Sequence, residues 1–281
     1  MVKPKRRRRN NGALFAWISI GVVVAVVLTV VLIKTLSPAS HQVNKFGIVP
    51  ASIFNDVTQV PASVFNTIGI NSQTISVDPH SVFGVLKGQK PLVVNGLPGA
   101  FYYGAEYCPY CAATRWGIVI ALSRFGTFTN NTLYNMFSSS TDYAPNTPSF
   151  TFYNTSYKSK YFSFTGYEVE DRNQNALMSL PTNISNLVAH YNTSHSFPFM
   201  DIDNKTFIIN SAFDPLNLAG YTTQKSIASQ LTNTSSAVTQ AIIATANYVS
   251  AGICASAKDP PASVCTSSGV KAAATALGLK L

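Results

Sequence analysis

The sequence predicts an α/β fold, and three observations carry that prediction. A short run of aromatic and small residues, Ala100 to Gly104, reads as a buried strand and leads through Ala105-Glu106-Tyr107 into Cys108-Pro109-Tyr110-Cys111 and a helix. From Ser196 to Ile209 two strand-like runs flank Asp203-Asn204, the pattern of a hairpin. Thr222 to Ser250 carries Ile227, Leu231, Val238, Ile242, Ile243 and Val249 at helical spacing, and Val270 to Leu279 continues as helix after a break.

The chain begins with a different kind of segment. Leu14 to Ile33 is twenty residues without a charge, enough to span a hydrocarbon core of about 30 Å. The run exceeds the usual apolar region of a signal peptide, and Ser37-Pro38-Ala39-Ser40 matches a cleavage site poorly. We therefore read an uncleaved anchor, with a removed signal as the alternative. Six cations, Lys3, Lys5 and Arg6 to Arg9, precede it and place the N-terminus in the cytoplasm. The predicted organisation is a cytoplasmic basic tail (1–12), a transmembrane anchor (13–36), a linker (37–48) and an extracytoplasmic domain (49–281).

The net charge of +9 is misleading, because those six residues and Lys34 supply seven of the 20 basic residues. From residue 41 onward 13 Lys and Arg face 11 Asp and Glu, so the folded part has no global attraction for nucleic acid.

Within the domain, apolar residues between Pro50 and Gly69 predict one or two short helices broken at Pro61. Pro91 to Val94 reads as a strand that turns at Asn95-Gly96 and pairs with the strand leading to Cys108. Thr132 to Phe137 reads as a second helical piece. Phe150 to Tyr153 and Tyr161 to Thr165 alternate aromatics with hydroxyls, as a half-buried sheet does, and Ala176 to Tyr191 reads as helix with breaks near Pro181 and Asn192.

The two cysteines of the motif carry the chemistry. Pro109 suits the first turn of a helix, because its φ is fixed and its missing N–H would have no partner there. The helix runs to Phe125 and ends near Gly126, so Cys108 stands at its positive end, where a thiol pKa falls below its free value of about 8.5. Cys108 is then the attacking sulfur, ionised and reachable, and Cys111, one turn further in, the more buried resolving thiol. A structural disulfide and half of a zinc site are the other readings. A zinc site wants a second close pair of ligands, whereas Cys254 and Cys265 have ten residues between them and His41, His80, His190 and His195 form no paired motif. No metal and no cofactor is predicted: Cys-x-x-Cys-His and Gly-x-Gly-x-x-Gly are both absent from the sequence.

A strand ending in Cys-Pro-Tyr-Cys before a helix resembles the thioredoxin superfamily, and the Pro-Tyr dipeptide is the one glutaredoxins carry. The wider context GAFYYGAEYCPYCAATRWGIVIALSRFGTF is similar to a family of membrane-anchored archaeal proteins with a thioredoxin-like domain. The resemblance covers about thirty residues. It implies a central mixed sheet flanked by helices, with an N-terminal extension. It also implies a cis-proline that opens a hairpin against the motif and whose preceding backbone pairs with substrate. Pro198, with Phe197 before it, is the candidate; Pro148 is the rival, at a distance from Cys108 that suits a minimal thioredoxin. With Pro198, residues 130–195 contain an insertion. The family's buried carboxylate, six residues before the first cysteine, is replaced here by Tyr102. The nearest acid is Glu106, read primarily as a solvent-facing residue and alternatively as the substitute proton carrier.

Outside the membrane, Cys254 and Cys265 are most simply a disulfide closing a Pro-Pro loop, with a second redox relay as the alternative. Six sequons, at Asn130, Asn154, Asn183, Asn192, Asn204 and Asn233, are candidate glycosylation sites. Together these features predict a membrane-anchored extracytoplasmic thiol–disulfide oxidoreductase whose partners are exported proteins and a redox partner that the sequence does not identify. Tyr103, Tyr107 and Tyr110 would contact unfolded chains. The alternatives are a cell-envelope binding module with a permanent Cys108–Cys111 bond, or a tethered electron carrier.

Overall fold

The strand that leads into Cys108 is flanked by strands on both edges and buried on both faces. In the computed structural model, residues 47–70, 79–129 and 132–281 are described; the anchor predicted at 13–36 and most of the linker lie outside them. The elements follow in the order α1 (Ala51–Thr58), α2 (Ala62–Ile68), α3 (Pro79–Val82), β1 (Phe83–Val85), β2 (Val93–Val94), β3 (Leu97–Gly104), α4 (Pro109–Ser123), β4 (Gly126–Phe128), β5 (Tyr134–Phe137), β6 (Pro148–Thr151), β7 (Tyr157–Ser159) and β8 (Ser163–Glu168). There follow α5 (Thr182–Tyr191), β9 (Phe199–Ile202), β10 (Thr206–Ile209), a 3-10 turn (Pro215–Leu218), α6 (Gln224–Ala228), α7 (Ala237–Ser256), α8 (Ala262–Cys265) and α9 (Ser268–Leu277).

The fold is α/β with a central mixed sheet flanked by helices. The strand order is β1-β10-β9-β3-β2, with β8 also on β3. β8 runs parallel to β3 from Gly99↔Ser163 to Gly104↔Glu168, whereas β9 and β2 pair with β3 antiparallel. Successive side chains of a strand point to opposite faces. Ala100 and Tyr102 therefore join the larger core with α4 and α7, and Phe101 and Tyr103 join Ile184 and Val188 of α5 on the other face. This double burial explains why β3 reads as continuously apolar and aromatic rather than alternating.

Helices α4 and α7 pack closely, and Gly117 makes the approach feasible: a Cβ there would stand 2.6 Å from Thr245 Cγ2. Among the described residues α7 is the helix long and apolar enough to cross a membrane, yet it is buried in the core, where a helix apolar all round belongs. Arg124 clamps the layer together. Its guanidinium lies 3.9 Å from the Phe65 ring centroid and donates to Asn247 and Ser250 of α7 and to Ser267 before α9. Burial lowers its pKa to about 10.

Several segments differ from the sequence prediction. Thr132 to Phe137 is not helical: β5 pairs antiparallel with β6, from Tyr134↔Thr151 to Phe137↔Pro148. A short apolar run has no decisive period, so an available strand partner determines its conformation. β6 is buried along its whole length rather than half-buried. The long helix read from Thr222 splits in two. α6 has a Thr223/Ser226 capping box, and α7 starts only at Ala237 and runs on to Ser256. Ser229 to Ser236 separate them, and within that segment Thr232 to Ser236 have side chains that compete for backbone hydrogen bonds, as Asn233 does in accepting from the Ser235 N–H. Likewise α5 begins at Thr182, after Pro181, and not at Ala176.

Cys254, in the last turn of α7, is bonded to Cys265 at the end of α8, with Cα atoms 5.7 Å apart. Closing a loop of this size restricts the unfolded chain by about 2–3 kcal/mol. Replacing both cysteines by Ala is expected to lower the unfolding free energy by about that amount, measured by urea denaturation. An unchanged midpoint would show that the bridge contributes nothing to stability.

Candidate active site

Cys108 is the N-cap of α4, Pro109 occupies the first turn, and the Cys108 Sγ accepts a hydrogen bond from the Cys111 N–H at 3.3 Å. Both cysteines are free thiols. Cys108 is 6% exposed and Cys111 0%, so an outside partner can meet only the first sulfur. Cys108 is thus far less open than the sequence suggested, because the β3–α4 junction is packed into the core. The electrostatics separate the two thiols. A hydrogen bond from the Cys111 thiol lowers the Cys108 pKa against the opposing effect of burial, and the Cys111 N–H and Arg115 lower it further. Complete burial, and then Cys108 itself, push the Cys111 thiol well up.

Arg115, one turn beyond Cys111, is fully buried. It grips Glu168 at the end of β8 with two hydrogen bonds, Nε to Oε1 at 2.8 Å and Nη2 to Oε2 at 2.7 Å. Nη2 also donates to the Ala105 carbonyl at 2.7 Å, while Nη1 has no hydrogen-bond partner among the described residues. Tyr102, which stands where the resemblance would place a carboxylate, is buried with its ring 5.7 Å from the guanidinium carbon. Its hydroxyl sits over Gly104, where a Cβ would come within 2.3 Å of it. Burial raises the Tyr102 pKa well above 10, Arg115 opposing. This phenol stays protonated.

Glu106 does not face solvent. It is 7% exposed, its Oε1 has no hydrogen-bond partner among the described residues, and its N–H donates to the Glu170 carbonyl. Burial first, and the Glu168 carboxylate second, raise its pKa from 4.5 to about 7. No local pattern signals this, since the enclosing residues, Glu168 and Asp171, are more than sixty positions away.

The Phe197–Pro198 peptide is cis. Pairing of Tyr103 with Phe199 puts buried Pro198 abreast of Gly104, at the end of β3 that leads to Cys108. Pro148 instead opens β6, and its carbonyl accepts from the Trp116 indole. The Phe197 ring packs on Tyr103, with centroids 4.9 Å apart, and edge-on to Tyr107. Among the described residues no backbone group hydrogen-bonds the Phe197 N–H or C=O.

The remaining candidates fall into place separately. The bond between Cys254 and Cys265 removes them as ligands that could complete a metal site with the motif cysteines. Asn154, Asn183 and Asn233 are exposed, and Asn130 lies outside the described residues. Asn204 is half-buried, with its amide nitrogen donating to the Lys90 carbonyl. Asn192 is a correction: it is 0% exposed, its Nδ2 donates to the Ser196 carbonyl and its Oδ1 accepts from the Ser196 N–H, leaving no room for a glycan.

Fold and site together define an α/β protein with a Cys-x-x-Cys dithiol at the start of a core helix. Residues 86–255 match the family described as "domain of unknown function (DUF929)", more than half of the chain, and the protein belongs to that family. No curated protein and no solved structure matches it.

Glu106 has a pH signature. Its folded-state pKa is raised, so the folded protein binds the extra proton between about pH 4.5 and 7, and stability falls as pH rises through that window. Glu106→Gln is expected to stabilise the protein by about 3 kcal/mol at pH 8 and hardly at all at pH 4. The difference in thermal midpoint between the two proteins across that range tests this. A pH-independent difference would contradict the burial argument.

Proposed function

We propose that the protein is a membrane-anchored, extracytoplasmic thiol–disulfide oxidoreductase acting on exported proteins, and that its domain is thioredoxin-like. One observation carries the reading: Cys108 caps α4 with its Sγ accepting from the Cys111 N–H, and Cys111, one turn further in, is fully buried, an arrangement that favours thiolate at the first sulfur and thiol at the second. The mixed sheet supports the fold assignment, since β3 feeds the motif helix and the β9–β10 hairpin starts at Pro198 alongside it. On this reading α1 to α3 are the N-terminal extension, and β5 to β7 belong to the insertion. The charge-free stretch 14–33 and the cations before it support the anchor and its orientation.

In the proposed reaction the Cys108 thiolate attacks one sulfur of a substrate disulfide. The S–S bond breaks, and the leaving substrate thiolate takes a proton from the medium. Cys111 then loses its proton and attacks Cys108 Sγ, expelling the second substrate sulfur. The substrate gains two electrons and the protein is left with a Cys108–Cys111 disulfide; the reverse sequence oxidises a substrate dithiol. The unpaired Phe197 backbone would hold an extended substrate as an added strand. Arg115, electrostatically coupled to both sulfurs, favours their ionised forms.

A non-catalytic envelope module with a permanent Cys108–Cys111 bond is the competing reading, and the 6% exposure of Cys108 favours it. The two diverge in exchange assays. Cys108→Ser is expected to reduce disulfide exchange to the uncatalysed background, and Cys111→Ser to accumulate mixed disulfides on Cys108. Wild-type turnover in Cys108→Ser would exclude this mechanism, whereas a reduction potential below about −300 mV would identify a structural staple.

A further inference from the structure

Of the 11 acidic residues in the chain, six lie in or around the motif region. Glu106, Glu168 and Asp171 are buried there. Asp142, Glu170 and Asp214 are half-buried at the rim: Glu170 and Asp142 act on Tyr107, and Asp214 and Asp142 act on Tyr110. Two cations lie nearby: Arg115 is taken up by Glu168, and Arg172 donates from Nε to the Phe137 and Ser138 carbonyls and from Nη2 to Asn146.

The same rim carries exposed apolar surface. Tyr110 and Tyr143 are 40% and 52% exposed, and their rings stack nearly parallel with centroids 6.0 Å apart. Asp214 fixes this ledge from below, because its Oδ2 accepts from the Tyr143 hydroxyl at 3.1 Å and its Oδ1 from the Leu216 N–H at 2.9 Å. Leu216 is itself 44% exposed. Two stacked phenols, an apolar side chain and carboxylates beside them form a surface for a cation with an apolar stem. Lysine and arginine have that form, and a guanidinium or ammonium also favours a tyrosine face.

We infer that Tyr110, Tyr143 and Leu216, with Asp142 and Asp214, dock polypeptide segments that carry Lys or Arg beside the reacting cysteine. The inference rests on the oxidoreductase reading and adds a substrate class to it. Charge complementarity of this kind sets partner choice and encounter rate.

The test uses the full-length chain in micelles of a neutral detergent. Two fluorescent peptides of equal length, with Lys or with Glu flanking a central Ser, are titrated by anisotropy. Cations in residues 1–12 attract the Glu peptide and so work against the expected preference. The Lys peptide is expected to bind about tenfold more tightly at low salt, and the preference to collapse at about 0.5 M salt. The Asp142→Asn/Asp214→Asn double variant keeps a side-chain oxygen at position 214 to cap the 3-10 turn, and is expected to reduce the preference to about twofold. Equal binding of the two peptides, or an undiminished preference in the double variant, overturns the inference. Exchange with a small neutral disulfide is read separately, so its absence beside an intact charge preference would count against the oxidoreductase reading and leave this surface standing.

Discussion

Arg115 and Glu168 meet inside the protein with neither side chain exposed, and the rest of the site is arranged around that contact. Withdrawing two charges from water is costly, and only excellent geometry with further hydrogen bonds compensates for it. Here the geometry is bidentate, Glu168 Oε1 also accepts from the Phe152 N–H, and Arg115 also holds the Ala105 carbonyl. The pair joins α4 to the end of β8, while the Ala105 contact fixes the turn between β3 and α4. The backbone just before Cys108 is therefore positioned by a charge pair rather than by apolar packing alone. Lysine could not substitute at this site, because one ammonium cannot present the guanidinium's planar fork.

One buried cation serves two buried carboxylates, and that imbalance explains Glu106. Glu168 has the guanidinium in direct contact; Glu106 is influenced by the same cation but more strongly by burial and by the charge of Glu168. The outcome is one carboxyl group gripped by the guanidinium and one whose pKa is pushed up to about 7, the usual asymmetry when like groups share a site. The aromatic at 102 is compatible with this arrangement. A carboxylate at that position would be a third acid around one arginine, whereas a neutral phenol adds a ring against the cation and no further charge.

Local features of the fold were legible in the sequence and long-range ones were not. Pro109 after Cys108, Asn95-Gly96 with both residues at positive φ, and Asp203-Asn204 with both in the left-handed region are turn and cap signals that act within four residues. They mark the start of α4 and the two hairpins without reference to anything distant. The burial of Glu106, the partner of Arg115, the strand conformation of Tyr134–Phe137 and the enclosure of Asn192 depend on residues brought in by tertiary packing. Asn192 is instructive because its sequon reads the same as the exposed ones. Only the turn after α5, which uses both ends of the amide to tie down Ser196, distinguishes it.

A near-neutral domain can still present a strong local field. Beyond residue 40 basic and acidic residues almost cancel, but a partner approaching within a Debye length of about 8–10 Å responds to the charges nearest to it rather than to the total. At the rim of the motif the acidic side chains are Asp142, Glu170 and Asp214, while the buried Glu168 is matched by Arg115. The thiolate proposed for Cys108 would add to this negative potential, so each further acid nearby works against its ionisation. The hydrogen bond from the Cys111 N–H and the charge of Arg115 act in the opposite sense. The two effects operate at different ranges. The hydrogen bond and the buried cation work at short distance in a medium of low dielectric, whereas the rim acids act across partly solvated space where water weakens them. A site can therefore hold an ionised sulfur and still be acidic around its entrance, provided that the stabilising groups lie beneath the sulfur and the acids lie beside it.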